Sequence, residues 1–527
     1  MKRFVLAALL AAWSGAAWAD AFNSVPPPGS PFVATGTTAA RTPMDRAADV
    51  VNVRDYGAKC DGSTDDAAAI QAAVNYAAAN GRRVIFGGTA SVCVVNSAIT
   101  VPSNSDISGW GVVTVKAGVS GTIFSATNAS SIYIHDLTLN GNYPTTTAFQ
   151  PVIWFTGTTA SKLDNLSITA PAGEIRLTTG SNGNVLSRLT VSNSHLHAVA
   201  ITSSNDNTVR DSDFTGQAGF GVIITTGASN VIQNVHTAQS GLELVGITKD
   251  SYDNRLIGNE ARNTGDNCYS VTGYRNLVVG NIGIGCQGNG LTFYGSNNTA
   301  TSNIFLDNAQ GNGGNGGWSG GITVQQGFGG LGQHNVAVGN ILDDDQVAPT
   351  QLYGGRIYAA QYTAWASGAT VNPNDYRYNG LVLYQAAAGG TTGATAPTCT
   401  NGSCSDGAVT WNYINSFDGS VQPDWNTFAN NDVRRFGTSP LKDNSAALHN
   451  RGLACLVLET AASTGGLSGN TCTGGGGAGS VVAGQFHTVT GGTAYAFGSS
   501  NTVSGGSGGA FGSSHIVDAN YANAFGK

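Results

Sequence analysis

Asp213, His236 and Glu260 stand 23 and 24 residues apart, each within a short stretch of alternating apolar and polar residues. Two carboxyl groups with an imidazole between them can do acid–base work. One carboxyl protonates a leaving oxygen, the other activates water, and the imidazole holds or moves a proton. That is glycosidase equipment, and a pair spaced widely enough to admit a water belongs to the inverting kind. Arg262, two residues beyond Glu260, adds a cation for the substrate. A second group, Arg176, Ala200, Ile223 and Glu243, falls at similar intervals, with Glu174, Lys249, Asp250 and Tyr274 in neighbouring segments. A uronide lyase needs a base to remove the C5 proton and a cation to neutralise the carboxylate, which Arg176, Lys249 or Arg262 would supply. The expected catalytic set is Asp213, Glu260 and His236, and the expected substrate contacts are Arg262, Glu243, Arg176 and Tyr274. His195 and His197 have the spacing of a metal-binding pair, but no third ligand is recognisable and no metal site is expected. Hydrolysis requires no cofactor; a lyase would take Ca2+.

Residues two dozen apart become neighbours only if the chain winds on itself. Asn184, Asn207, Asn230, Asn254, Asn276 and Asn298 each open a short strand-like stretch, "NVLSRLTV", "NTVRDSDF", "NVIQNVHT", "NRLIGNEA", "NLVVGNIG" and "NTATSNIF", and Asn335 opens another, "NVAVGNIL". Most copies carry a second strand after a Gly-rich turn, as in "GVIITTG" and "GLTFYGS". A period near 22 with two or three strands per copy is the mark of a solenoid. No single coil can bury its apolar side chains, whereas stacked coils share one core. Asn suits the repeated turn because it tolerates left-handed backbone and its amides can bond in a ladder. Aligning the coils on these Asn residues gives one column of Thr190, Asp213, His236, Glu260 and Ile282, facing outward beside inward Val191 and Phe214. Strands stack at about 4.8 Å, so Asp213 and Glu260, two coils apart, are expected about 9.6 Å from each other.

A stack of coils has an exposed end that needs a cover. The stretch from Val50 to Phe86, "VVNVRDYGAKCDGSTDDAAAIQAAVNYAAANGRRVIF", reads as strand, turn, helix and strand. Ser63 or Thr64 would cap the helix, with Asp65 and Asp66 near its positive end. Ile70, Val74 and Ala77 or Ala78 form its apolar stripe, and Gly81 ends it. This segment resembles the N-terminal part of the pectate-lyase-like superfamily, which includes secreted glycan-cleaving enzymes and phage tailspike depolymerases. With the repeats, the resemblance spans about Val50 to Leu342. It implies an all-β chain with a right-handed parallel β-helix, and a glycan site along the flank of that helix. The chain departs from the family's better-known sites. The Asn-Thr-Asp, Asp-Asp and Gly-His-Gly set of polygalacturonases is missing, with "NTGD" at 263–266 only a partial echo. The calcium pectate lyase patterns and the DPHE signature of mannuronan epimerases are missing too.

Beyond the coils, residues 346–418 read as a small aromatic β module and residues 419–475 as a connecting region. From 476 a second period appears, with Gly484, Gly498, Gly512 and Gly526 spaced by 14. These repeats resemble the head repeats of trimeric autotransporter adhesins, which implies a narrow β-roll shared among three chains, and a homotrimer is expected. With no outer-membrane anchor before Lys527, a self-anchored adhesin is disfavoured. Residues 1–19 read as a secretory signal, with residues 20–48 as a linker before the coils from 49 to 345. No later stretch is apolar enough to span a membrane, so the expected location is extracellular. Only 10% of residues are charged, 74 are Gly and the net charge is −7. That balance excludes a nucleic-acid partner. The eight Cys fall into local pairs, Cys60/Cys93, Cys268/Cys286, Cys399/Cys404 and Cys455/Cys472, and an even number in an exported chain points to disulfides. The expected activity is secreted polysaccharide degradation, by hydrolysis ahead of β-elimination. The competing class is a non-catalytic, glycan-binding surface protein.

Overall fold

The structure is a computed structural model. It describes residues 49–436 except for 88–90, 111–112, 119–120, 145–148, 312–318 and 359–361, together with short strand segments on either side of that range. The expected signal at 1–19 and the Cys455/Cys472 pair lie outside the residues it describes.

The repeats wind into a parallel β-helix. One flank is a 12-stranded sheet that runs from Ile99–Thr100 through Ile175–Thr178, Val199–Thr202, Val222–Thr225, Val245–Ile247, Tyr269–Val271 and Leu291–Phe293 to Gly320–Gln325, Tyr353–Tyr358 and Ser439–Asp443. The strands opening with the repeated Asn build the opposing sheets, again coil on coil in parallel register. Inward and outward residues alternate, with one break per long strand at a left-handed residue, Asp211 or Asn234. Val209, Phe214, Ile232, Val235, Leu256, Ala261 and Val278 point inward and are buried, and their neighbours face out. From the Leu277 coil onward most outward positions of these sheets also become aliphatic: Leu277, Val279, Ile282, Ile284, Ile304, Leu306, Val336, Val338 and Ile341 are all half-buried, interrupted by Thr299 and Thr301.

The recurring Asn residues form a ladder through the interior. Each donates its side-chain N–H to the Oδ1 of the next, from Asn184 through Asn207, Asn230, Asn254, Asn276, Asn298, Asn335 and Asn426 to Asn450, at 3.0–3.1 Å. The same Oδ1 accepts the backbone N–H of the Asn below it. A second ladder, Asn259, Asn281, Asn303, Asn340 and Asn431, runs along another corner.

The N-terminal cover is the helix Ala67–Ala79, which buries Ile70, Ala73, Val74 and Ala77 against the first coil. Its start differs from expectation. Ser63 and Thr64 lie in the strand Asp61–Asp65, where both bond the Asp61 carboxylate. Asp66 takes the cap position, but its carboxylate turns back to accept the N–H groups of Lys59 and Cys60, and Asp65 accepts the N–H of Ala67. Three of the expected disulfides are present, Cys60–Cys93, Cys268–Cys286 and Cys399–Cys404.

The period breaks later than the sequence suggested. Tyr353–Tyr358 still belongs to the 12-stranded sheet, and the inserted module is a five-stranded sheet between Thr363 and Ser416, cored by Trp411 and Tyr384. The region expected as a connector then returns to the coils. Thr427–Ala429 pairs with Val336–Val338, and Arg451–Gly452 pairs with it in turn. At the C-terminus, strands Val481–Gln485, Tyr495–Ser499, Gly509–Ser513 and Asn523–Gly526 stack in register with the 14-residue period. Phe511 and Phe525 stack at 4.8 Å, while Phe525 and Ile516 are exposed.

Candidate active site

The proposed column exists. Asp213 pairs with His236, and His236 with Glu260, on adjacent coils. The side chains face solvent, Asp213 at 68% exposure and His236 at 48%. His236 Nδ1 lies 3.2 Å from Asp213 Oδ1. Glu260 is held by Arg262 from its own strand. Asp213 and His236 are therefore joined, and Glu260 is tied to Arg262.

The second group needs correction. On the 12-stranded sheet Arg176 pairs with Ala200, Ala200 with Ile223 and Ile223 with Gly246, so Glu243 is not in that column. Counted back from the paired residues Val199, Val222, Val245 and Tyr269, Glu243 is level with His197, Phe220 and Asn267. Gly246 is required where the expected Glu would stand: a Cβ there would come within 2.4 Å of the Phe220 ring. Tyr274 lies elsewhere, at the far ends of these strands, stacked on Tyr252 at 5.1 Å.

Glu243 is almost fully buried on the outer face of the sheet. Ser270 Oγ donates to its Oε1. Ser270 accepts from the Asn267 amide, which also donates to Asp266 Oδ1 at 3.0 Å. Asn267 Oδ1 accepts from Thr292 Oγ1 and the Asn289 N–H, both at 2.9 Å. Asn289 Oδ1 accepts from the Ser319 N–H, and Ser319 Oγ accepts from Arg356 Nη1 at 2.6 Å. One hydrogen-bonded seam thus runs across five coils from a carboxyl to a guanidinium. Burial, reinforced by the nearby Asp266 charge, pushes the Glu243 pKa up to about 7, and burial raises half-buried Asp266 too. Two carboxyls that cannot both ionise easily divide into a proton donor and a proton acceptor. Tyr294 lies close enough for both acids to act on it, and burial together with their charges keeps its hydroxyl protonated. Exposed Phe328 meets the Tyr294 ring edge-on at 5.0 Å.

The other end of this face carries Glu174, buried and paired with Arg176, whose guanidinium lies 5.8 Å from the Trp154 ring. Burial raises the Glu174 pKa against the pull of Arg176. His197 Nδ1 accepts the Phe220 N–H at 3.0 Å, so the ring is neutral. Burial, then Arg176, lowers its pKa to about 4. Sequence reasoning named Glu243 and Arg176 but missed Asp266, Ser270, Asn267 and Tyr294. Asn267 had a signal, a polar residue two before the strand as at His197, Glu243 and Asn289; Ser270, inside its strand, and Tyr294, after its strand, had none.

Residues 151–326 match the family model described as a right handed beta helix region. Among solved structures, the A-module of mannuronan C-5 epimerase AlgE6 from Azotobacter vinelandii is similar with a TM-score of 0.58 and 16% identity, covering 76% of this chain and 97% of that one. The A-module of AlgE4 from the same organism gives 0.56 and 15%, covering 76% and 99%. No curated relative matches by sequence. The chain is a right-handed parallel β-helix protein.

Proposed function

We propose that the protein is a secreted, homotrimeric polysaccharide-degrading enzyme whose acid–base pair is Glu243 and Asp266. The observation that carries this reading is buried Glu243 beside half-buried Asp266 on the outer face of the 12-stranded sheet, with the Glu243 pKa pushed up to about 7. Glu243 donates a proton to the leaving glycosidic oxygen. Asp266, nearer solvent, accepts one from water or from the sugar. Arg176 and Arg356, at either end of the face, bind the chain's polar groups. The fold likeness to polysaccharide epimerases supports the substrate class and leaves the reaction to the residues; the DPHE signature is not in this sequence. Three disulfides fit an oxidising, extracellular setting, and no helix among the described residues is long and apolar enough to cross a membrane. Exposed Phe525 and Ile516 on the narrow roll, and the aliphatic outer face from Leu277 to Ile341, support burial against further copies of the chain.

The exposed column Asp213–His236–Glu260 is the alternative centre, favoured by the contact between His236 and Asp213. A screen of bacterial and plant polysaccharides decides between them. New reducing ends without ultraviolet absorbance mean hydrolysis, and unsaturated-uronide absorbance means elimination. Glu243→Gln should lower the rate roughly 100-fold or more, with Asp213→Asn and Glu260→Gln near wild type. The reverse pattern moves the centre to the exposed column. No cleavage of any glycan, with binding retained, favours a non-catalytic glycan-binding protein.

A further inference from the structure

A cavity of about 350 Å³ opens at the seam between the β-helix and the inserted module. Lys249, Asp250, Tyr274 and Asn297, at the ends of successive strands of the 12-stranded sheet, form its floor, and Ile414 and Asn415 of the module close it from above. The volume falls in the usual range of small-ligand sites, roughly 300–1,000 Å³.

The walls are fixed before any ligand arrives. Leu331 of the β-helix packs with Tyr362, Leu383 and Phe417 of the module. The loop between Gly327 and Gly330 is pinned by Tyr362, whose hydroxyl accepts the Gly329 N–H at 3.0 Å and donates to the Gly330 carbonyl at 2.7 Å. Gly329 has a φ of +84°, and a Cβ there would lie 2.6 Å from Lys249 Cδ, so the loop sits flush on the lysine stem. The Tyr274 ring, stacked on Tyr252, is a rigid wall. The same loop carries Phe328, whose ring meets Tyr294 edge-on at 5.0 Å, between the cavity and the acid pair at the other ends of these strands.

The chemistry of the lining is mixed. Lys249 Nζ stands 3.8 Å from Asp250 Oδ1, and two amides, one from each part of the protein, offer donors and acceptors together. An anion would meet Asp250, and an apolar ligand would strand the amides. A polyhydroxylated ring, with alternating O–H groups and an apolar C–H face, satisfies all of them.

We propose that this cavity is a saccharide subsite, assembled jointly by the β-helix and the module, that holds a glycan unit beyond the acid pair. The proposal rests on the glycan reading above. Its test is calorimetric titration of the full chain with cellotriose, maltotriose, mannotriose and trigalacturonate. Wild type and Glu243→Gln should bind at least one of them equally. Asn415→Trp, which fills the cavity, and Tyr274→Ala should weaken that binding tenfold or more, with unchanged melting temperature certifying the fold. No binding of any of the four, or equal binding by Asn415→Trp and Lys249→Ala, overturns the subsite. Loss of cleavage in Glu243→Gln with binding intact bears on the acid pair alone, so the two ideas fail separately.

Discussion

Glu243 and His197 oppose one another in their dependence on pH. The carboxyl of Glu243 ionises near pH 7 in the folded protein and near 4.5 when unfolded. Its favourable share of stability is therefore complete below pH 4.5 and lost as pH rises through 7. His197 titrates near 4 folded and 6.5 unfolded, so its share is complete above pH 6.5 and lost as pH falls to 4. Each window spans about 3 kcal/mol, and across pH 4.5–6.5 the two slopes largely cancel. Glu243→Gln should remove one slope. Its melting temperature is expected to exceed wild type at pH 8, by up to about 3 kcal/mol in stability, and to match it at pH 4. Equal melting temperatures at pH 8 would show that Glu243 is charged at no cost. Glu243 was legible in the sequence as a polar residue on the right flank, but not its partners. It stands only 20 residues after Ile223, three short of the true partner Gly246, so it lies before the strand rather than in the column assigned to it. Asp266 was seen only as the end of "NTGD" at 263–266, set aside as a partial echo of the polygalacturonase motif, because nothing in that turn tied it to Glu243.

Coil stacking makes each ladder Asn serve several others at once. Asn254 accepts the N–H and side-chain amide of Asn230, and donates to the Gly227 carbonyl and to Asn276. Asn254→Ala leaves several buried polar groups without partners, and the expected loss is about 3 kcal/mol or more. Urea denaturation would measure it. Substituting Asn205, a part-exposed amide that bonds only the Ala228 N–H in the same region, should cost about 1 kcal/mol. Similar midpoints for the two variants would show the ladder to be no stronger than a surface bond. The ladder itself was readable because one Asn per period is hard to miss. The second ladder lies in plain view in "LIGN", "LVVGN" and "VAVGN", yet a Gly-Asn pair reads first as an ordinary turn. The helix start was misplaced by two or three residues for a related reason: Asp61 engages Ser63 and Thr64 in a turn of its own, removing both from the competition for the cap.

At the scale of the whole molecule, light scattering should report three chains per particle. Replacing Ile516 and Phe525 together by Ser should shift the particle to one chain, with the β-helix unaltered by circular dichroism. A single chain in the wild type would end the trimeric reading. The period revealed the helix, and composition revealed the break in it, but the return of the chain to its coils after the module could not be read because the aromatic insert hides the rhythm. That return has a kinetic consequence. Most coils close on a neighbour 22 to 24 residues earlier, whereas Asn335 must find Asn426 across 91. As a floppy loop, the longer span adds only about 1 kcal/mol of closure entropy. Once the module has collapsed and brought its own ends together, even that small toll shrinks. Winding during synthesis should therefore pause after Tyr358 until the insert has condensed, and the turns beyond it should be the slowest to refold.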